Sequence, residues 1–275
     1  MAEADSSVQT GYAPLKGLDM YYEIHGNGRP LILLHGAFMT IDTIGRILPG
    51  LAATRQVIAV EQQGHGHTAD IDRPLTYEQM ADDTAGLLAH LGVVSADIVG
   101  YSMGGGIALQ LAIRHPTAVR KLVIASTSYA SDGMHAVAVA MFPSITPELF
   151  AGSPIEAAYL RTAPNPHDFP KLVEKVKQLD TTAFAWPADD IRRIAAPTLI
   201  LLGDSDGVRL EHAIELFKLR GGGVMGDLEG MPTSQLAVLP GTAHFVPPGH
   251  GLLDRAHWLL ELIPPFLDAP MPDSD

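Results

Sequence analysis

The chain has 275 residues, 47% of them apolar, enough for one large α/β domain or two small ones with a sizeable core. A net charge of −13 disfavours nucleic acid and anionic membrane surfaces as partners, and the lack of cysteine excludes disulfides, thiolate metal sites and a cysteine nucleophile. No apolar run approaches the roughly 20 residues needed to cross a bilayer, and Met1-Ala2-Glu3-Ala4-Asp5 carries neither a basic nor an apolar leader, so a cytoplasmic location is expected.

Residues 1–10 read as a loose polar arm. Residues 12–16 and 18–24 are short β-type runs around Gly17, the pattern of an antiparallel hairpin. After the turn Gly26-Asn27-Gly28 comes Pro30-Leu31-Ile32-Leu33-Leu34, apolar at every position, as in a strand buried on both faces. A helix is expected over residues 42–53, a strand over 56–60, then a glycine-rich loop, Glu61-Gln62-Gln63-Gly64-His65-Gly66-His67-Thr68. Thr76 is an N-cap candidate for a helix to about Leu91. The strand 96–99 leads through Gly100-Tyr101-Ser102-Met103-Gly104 into a small-residue helix, which His115-Pro116 breaks before a strand over 119–125.

From Ser126 to about Asp190 the alternation stops, and seven prolines separate short helical patches, the clearest over 136–142 and 172–179. This segment reads as an inserted helical cap (126–190) on a core domain made of residues 1–125 and 191–275. Alternation resumes with a strand over 197–203, Asp204-Ser205-Asp206-Gly207, a helix over 209–219, a glycine-rich loop over 221–230, a last strand over 235–239 and a closing helix over 252–267. Gly221-Gly222-Gly223 is no phosphate loop, because no Gly-Lys-Ser/Thr follows. Repeated β–α units predict a mostly parallel sheet of the eight-stranded type, with helices on both faces and the small cap outside it.

In such sheets ligands bind beyond the carboxyl ends of the strands, and four strand ends here carry reactive residues. Ser102 sits in the strand–turn–helix context of a nucleophile elbow. Its hydroxyl needs a base, which His244 past the last strand can supply, and that imidazole needs a carboxylate, for which Asp204 and Asp206 are both placed. The Ala37 and Met103 N–H groups can converge as an oxyanion hole. His250 and His257 are weaker candidates for the base, since one lies six residues beyond the loop and the other falls inside a helix. His35 reads as structural. His65 and His67 suggest a metal pair only superficially, as no carboxylate or third histidine stands at ligand spacing, so neither metal nor cofactor is expected. Phe38, Tyr101, Met134, Met141, Phe142 and Trp186 are candidate pocket residues.

His35-Gly36-Ala37-Phe38, Gly64-His65-Gly66-His67-Thr68, Gly100-Tyr101-Ser102-Met103-Gly104, Gly203-Asp204-Ser205-Asp206 and His244 together make the chain resemble the α/β-hydrolase superfamily across nearly its whole length. The likeness is nearest the small serine esterases and cofactor-free haloperoxidase-like members. It implies a Ser102–Asp206–His244 triad, with Asp204 a turn former, and cleavage of a small-molecule carboxylic ester or lactone through an acyl-enzyme. Perhydrolysis or carbon–carbon hydrolysis on the same triad is the alternative, and a non-enzymatic ligand receptor a further one. A haloalkane dehalogenase would want aspartate where Ser102 stands. Glu61-Gln62-Gln63 departs from the resemblance, whose members carry an arginine just before the loop glycine. That loss is expected to remove a structural salt bridge and to bear on the pocket floor.

Overall fold

Runs such as Val57-Ile58-Ala59-Val60, apolar at every position, can leave neither face of a strand to water. The computed structural model, which describes residues 8–246 and 248–272, places them in the middle of one sheet. Its strands are β1 (Gln9–Leu15), β2 (Leu18–His25), β3 (Arg29–Leu34), β4 (Arg55–Val60), β5 (Ala96–Tyr101), β6 (Val119–Ala125), β7 (Thr198–Ser205) and β8 (Gln235–Ala243). The order across the sheet is β1-β2-β4-β3-β5-β6-β7-β8. Only β2 runs against its neighbours; every other pairing is parallel. Successive residues of β3 feed opposite faces: Leu31 and Leu33 join one core, Ile32 and Leu34 the other. Helices Tyr77–His90, Met103–Arg114 and Leu210–Leu219 cover one face, and the helices around residues 41–52 and 256–268 cover the other.

The hairpin turns at Gly17, whose φ of +90° suits glycine, and Thr76 caps its helix by accepting the Gln79 N–H. Several boundaries move. Gln9 and Thr10, expected in the arm, open β1, while residues 1–7 lie outside the described residues. The helix expected over 42–53 is two, Ile41–Ile44 and Leu48–Ala52. Gly45 ends the first, and Pro49, which has no N–H to donate, sits in the first turn of the second. The glycine-rich stretch 221–230 holds a short helix, Gly226–Glu229. β8 runs four residues further than expected, to Ala243, across an irregularity opposite Gly203 and Ser205.

Between β6 and β7 the chain forms helices Ala136–Met141, Pro154–Thr162, Phe169–Thr181 and Ala188–Arg193, with 3-10 turns between them. Pro143, Pro147, Pro154, Pro166 and Pro170 all stand in first turns, where the missing N–H costs nothing. Five of the seven prolines that interrupt the pattern along the sequence are therefore helix starts. Phe169, Leu172, Val173 and Val176 pack this segment into the same core as Ile107 and Leu111 of the helix behind the elbow.

Candidate active site

The geometry begins with two glycines. A Cβ on Gly100 would lie 2.2 Å from the Gly104 carbonyl oxygen, and one on Gly104 would lie 2.3 Å from that of Leu34. Only glycine lets β5 and helix Met103–Arg114 cross this closely. Between them Ser102 is held at φ 54°, ψ −119°, a strained conformation that lifts its side chain off the sheet end. Gly104→Ala is accordingly expected to cost roughly 1–3 kcal/mol of stability or more, seen as a lower urea midpoint at unchanged slope. An unchanged midpoint would mean that strand and helix have room to part.

Ser102 Oγ lies 2.9 Å from His244 Nε2, and His244 Nδ1 lies 3.0 Å from Asp206 Oδ1. With the Nδ1 proton donated to Asp206, Nε2 is left to accept the serine hydroxyl. Asp206 is buried, and burial by itself would raise its pKa. The hydrogen bond and charge attraction of His244, together with donors from Ser126 Oγ at 2.5 Å and Val208 N–H at 3.0 Å, hold it below the usual carboxylate range. Asp204 is not part of this chain of contacts. It accepts the Gly241 and Thr242 N–H groups at 2.9 and 3.2 Å and so ties the end of β7 to β8, more than the local turn expected of it. His250 and His257 are exposed and away from Ser102; His250 sits against the Gly241 carbonyl instead.

Among the described residues neither the Ala37 nor the Met103 N–H has a hydrogen-bond acceptor. Met103 is the first residue of its helix, so its N–H is an orphan aligned with the positive end of the helix dipole. His35 braces the Ala37 loop: Nδ1–H donates to the Gly36 carbonyl at 2.8 Å, and Nε2 accepts the Gln62 N–H at 3.1 Å. Burial pushes its pKa down to about 4, so it stands neutral in that role. The His65 ring lies tilted beside it at 4.9 Å, while His67 pairs with Glu61 at 2.9 Å. Glu61 is a carboxylate the sequence spacing passes over, and its oxygens accept the Ile41 and His67 N–H groups. Among the described residues no group of three such side chains could hold a metal ion. In place of the missing arginine, Gln63 accepts from Arg73 Nε at 2.5 Å, and Arg73 pairs with buried Asp83. Residues 61–64 do not line the cavity, so the departure there is structural.

That cavity, of about 400 Å³, opens over Ser102 and His244. Ala37, Phe38, Tyr101, Met103, Met134 and Phe142 line it. Phe38 packs at a tilt against Phe150 of the inserted segment, ring centres 4.8 Å apart, and the Tyr101 hydroxyl donates to the His244 carbonyl at 2.6 Å. Two expectations need correcting. Met141 projects to solvent, 62% exposed, because its helix turns its Ala138 and Val139 side inward. Trp186 is buried behind the wall, packed against Phe184 and Tyr77 at 4.9 and 5.4 Å, and does not reach the cavity. Sequence reasoning also missed Ser126 and Asp180. Ser126 ends β6 as the other reactive residues end theirs, so its strand-end position was a usable signal. Asp180 closes an amphipathic helix and offered none.

Comparison with known proteins agrees with this fold. A family model described as alpha/beta hydrolase fold matches residues 29–141. A 2-hydroxymuconate semialdehyde hydrolase of Pseudomonas sp. (strain CF600) is 38% identical over 120 residues, which is 41% of this chain and 42%, less than half, of that relative's length. A solved meta-cleavage product hydrolase of Pseudomonas fluorescens IP01 superposes with a TM-score of 0.72 at 21% identity, covering 94% of this chain and 97% of that one, a likeness of fold alone. A solved N-acyl homoserine lactone degrading enzyme gives 0.70 at 26% identity, covering 93% and 99%. Sheet order, elbow and these matches together give the chain the α/β-hydrolase fold.

Proposed function

We propose that the protein is a serine hydrolase that cleaves an uncharged or cationic carboxylic ester or lactone through an acyl-enzyme, beneath a cap formed by residues 126–190. The observation that carries this reading is the unbroken contact from Ser102 through His244 to Asp206 at the floor of a largely apolar cavity. Ser102 Oγ attacks the carbonyl carbon while His244 Nε2 takes its proton. The oxyanion forms between the Ala37 and Met103 N–H groups, each such donor being worth about 3–4 kcal/mol of barrier. Collapse expels the alcohol, protonated by His244. Water then gives its proton to His244, attacks the acyl carbon and frees the acid and Ser102. Asp206 holds the imidazole tautomer and offsets its charge.

The lining favours this substrate class over an anionic one. Among the described residues it contains no lysine or arginine, and its sole carboxylate is Asp180. A carboxylate-bearing substrate would meet repulsion and no counter-ion. Carbon–carbon hydrolysis is the second reading, favoured by the 38% identical stretch shared with the semialdehyde hydrolase. The test is steady-state and stopped-flow assay of purified protein on p-nitrophenyl esters of increasing acyl length, on lactones, and on ring-cleavage semialdehydes, with and without hydrogen peroxide. A burst of about one equivalent followed by turnover on esters or lactones is expected. Turnover confined to the semialdehydes would transfer the assignment to the second reading. Peracid formation outrunning hydrolysis would point to perhydrolysis, and tight binding without turnover to a ligand receptor.

A further inference from the structure

Asp180 stands in the last turn of helix Phe169–Thr181, in the segment that roofs the cavity, and its side chain lines that cavity together with Tyr77, Phe184, Ser102 and His244. Nothing in the catalytic scheme above uses it. No donor among the described residues hydrogen-bonds its carboxylate, whereas every other carboxylate near the site is engaged: Asp206 by His244, Ser126 and Val208, Asp204 by Gly241 and Thr242. A carboxylate set in an apolar wall without a partner is costly unless a partner arrives from elsewhere. Burial pushes its pKa up to about 7, opposed only by attraction to His244. The titratable groups facing it are that imidazole and the Tyr77 phenol, whose own pKa is driven up by burial and then by the Asp180 charge. The Tyr77 and Phe184 rings, 5.3 Å apart, share the wall with it. A carboxylate beside two aromatic rings is the chemistry that receives an ammonium group, through an ion pair and cation–π contact together.

We propose that Asp180 is the specificity-determining residue of this cavity, receiving a protonated amine carried by the substrate and turning away substrates that carry a carboxylate there. The inference rests on the acyl-transfer reading for its substrate class, amine-bearing esters or lactones, but the recognition itself does not depend on turnover. When the ammonium arrives it supplies the missing donors, and Asp180 ionises to meet it. Its charge adds to that of Asp206 around His244, so an additional carboxylate in the ligand would be a third negative charge in one small space. The chain's net charge of −13 biases the approach of ligands in the same direction.

Calorimetric titration with three matched probes that cannot be hydrolysed, 4-phenylbutylammonium, 4-phenylbutanol and 4-phenylbutanoate, separates this proposal from the catalytic one. In the wild-type protein at pH 8 the ammonium should bind at least about tenfold more tightly than the alcohol, and the carboxylate more weakly than either. That preference should shrink on going to pH 6, where Asp180 takes up a proton while the amine stays charged. Asp180→Asn, which keeps size and shape, should remove most of the preference and lessen the penalty on the carboxylate. An ammonium that binds no better than the alcohol, or a preference that survives in Asp180→Asn, overturns the proposal. Parallel kinetics with an ω-amino acyl ester and its plain counterpart then tell the two readings apart. Selective binding without ester turnover would keep Asp180 and discard the esterase assignment, and unselective turnover would do the reverse.

Discussion

Replacing Ser102 by alanine is expected to lower kcat on the esters or lactones proposed as substrates by about 10⁴- to 10⁶-fold while leaving the fold in place. The size of the loss follows from the way the parts work together. Without the hydroxyl no acyl-enzyme can form, and His244 and Asp206 lose the group whose proton they handle. What remains is the residual assistance of the Ala37 and Met103 N–H groups and substrate binding. Stability should change little. The Ser102 side chain makes one hydrogen bond, to His244, and alanine has the same Cβ to place at φ 54°. Thermal unfolding of the variant should lie close to the wild type or slightly above it, since active-site strain and polar burial often cost stability. The measurement is steady-state turnover with active-site titration beside a melting curve. A variant that keeps the wild-type rate sinks Ser102 as nucleophile, and one that no longer folds would mean the elbow depends on the hydroxyl.

Asp206→Asn should reduce kcat by about 10³- to 10⁴-fold at neutral pH. The substituted amide can still accept from His244 and Val208 through its oxygen, but it carries no charge to stabilise the imidazolium that forms as Ser102 attacks. Asp204→Asn is the control, because Asp204 holds β8 and does not meet His244. It should leave kcat at the wild-type order of magnitude. Asp206 also carries a stability signature of defined sign. Its pKa is depressed in the folded protein, so it contributes stability that is fully present above the unfolded carboxylate value of about 3.9 and is lost as pH falls through the lower folded value. The stability gap between wild type and Asp206→Asn should therefore narrow on acidification below about pH 4. A gap that stays constant down to pH 2 would show that Asp206 is not ionised by its partners in the way their geometry requires. Equal kcat losses in the Asp204 and Asp206 variants would mean that His244 is oriented by something else.

By itself the sequence determined what depends on local pattern. Continuous apolar runs marked the strands because a strand covered on both faces has no position for a polar side chain, and 3.6-residue spacing marked the helices between them. Gly100 and Gly104 marked the elbow because the close crossing of β5 and its helix admits no Cβ. Ser102, Ala37, Asp204, Asp206 and His244 were legible as strand-end residues for the same reason. Position alone left both Asp204 and Asp206 open as the partner of His244; the family resemblance implied Asp206, and the tertiary structure is what brings Asp206 to the imidazole. Two aspartates follow one strand, and their directions depend on how β8 pairs with β7 across its irregularity, a non-local matter. The inserted segment was read least well. Its side chains sort into cavity, buried wall and solvent according to how several short helices pack on the sheet, so Met141 turned outward and Trp186 lay behind Phe184 and Tyr77. Asp180 was invisible for that reason too. A carboxylate at the end of an amphipathic helix looks like any solvated residue until the fold closes an apolar cavity around it.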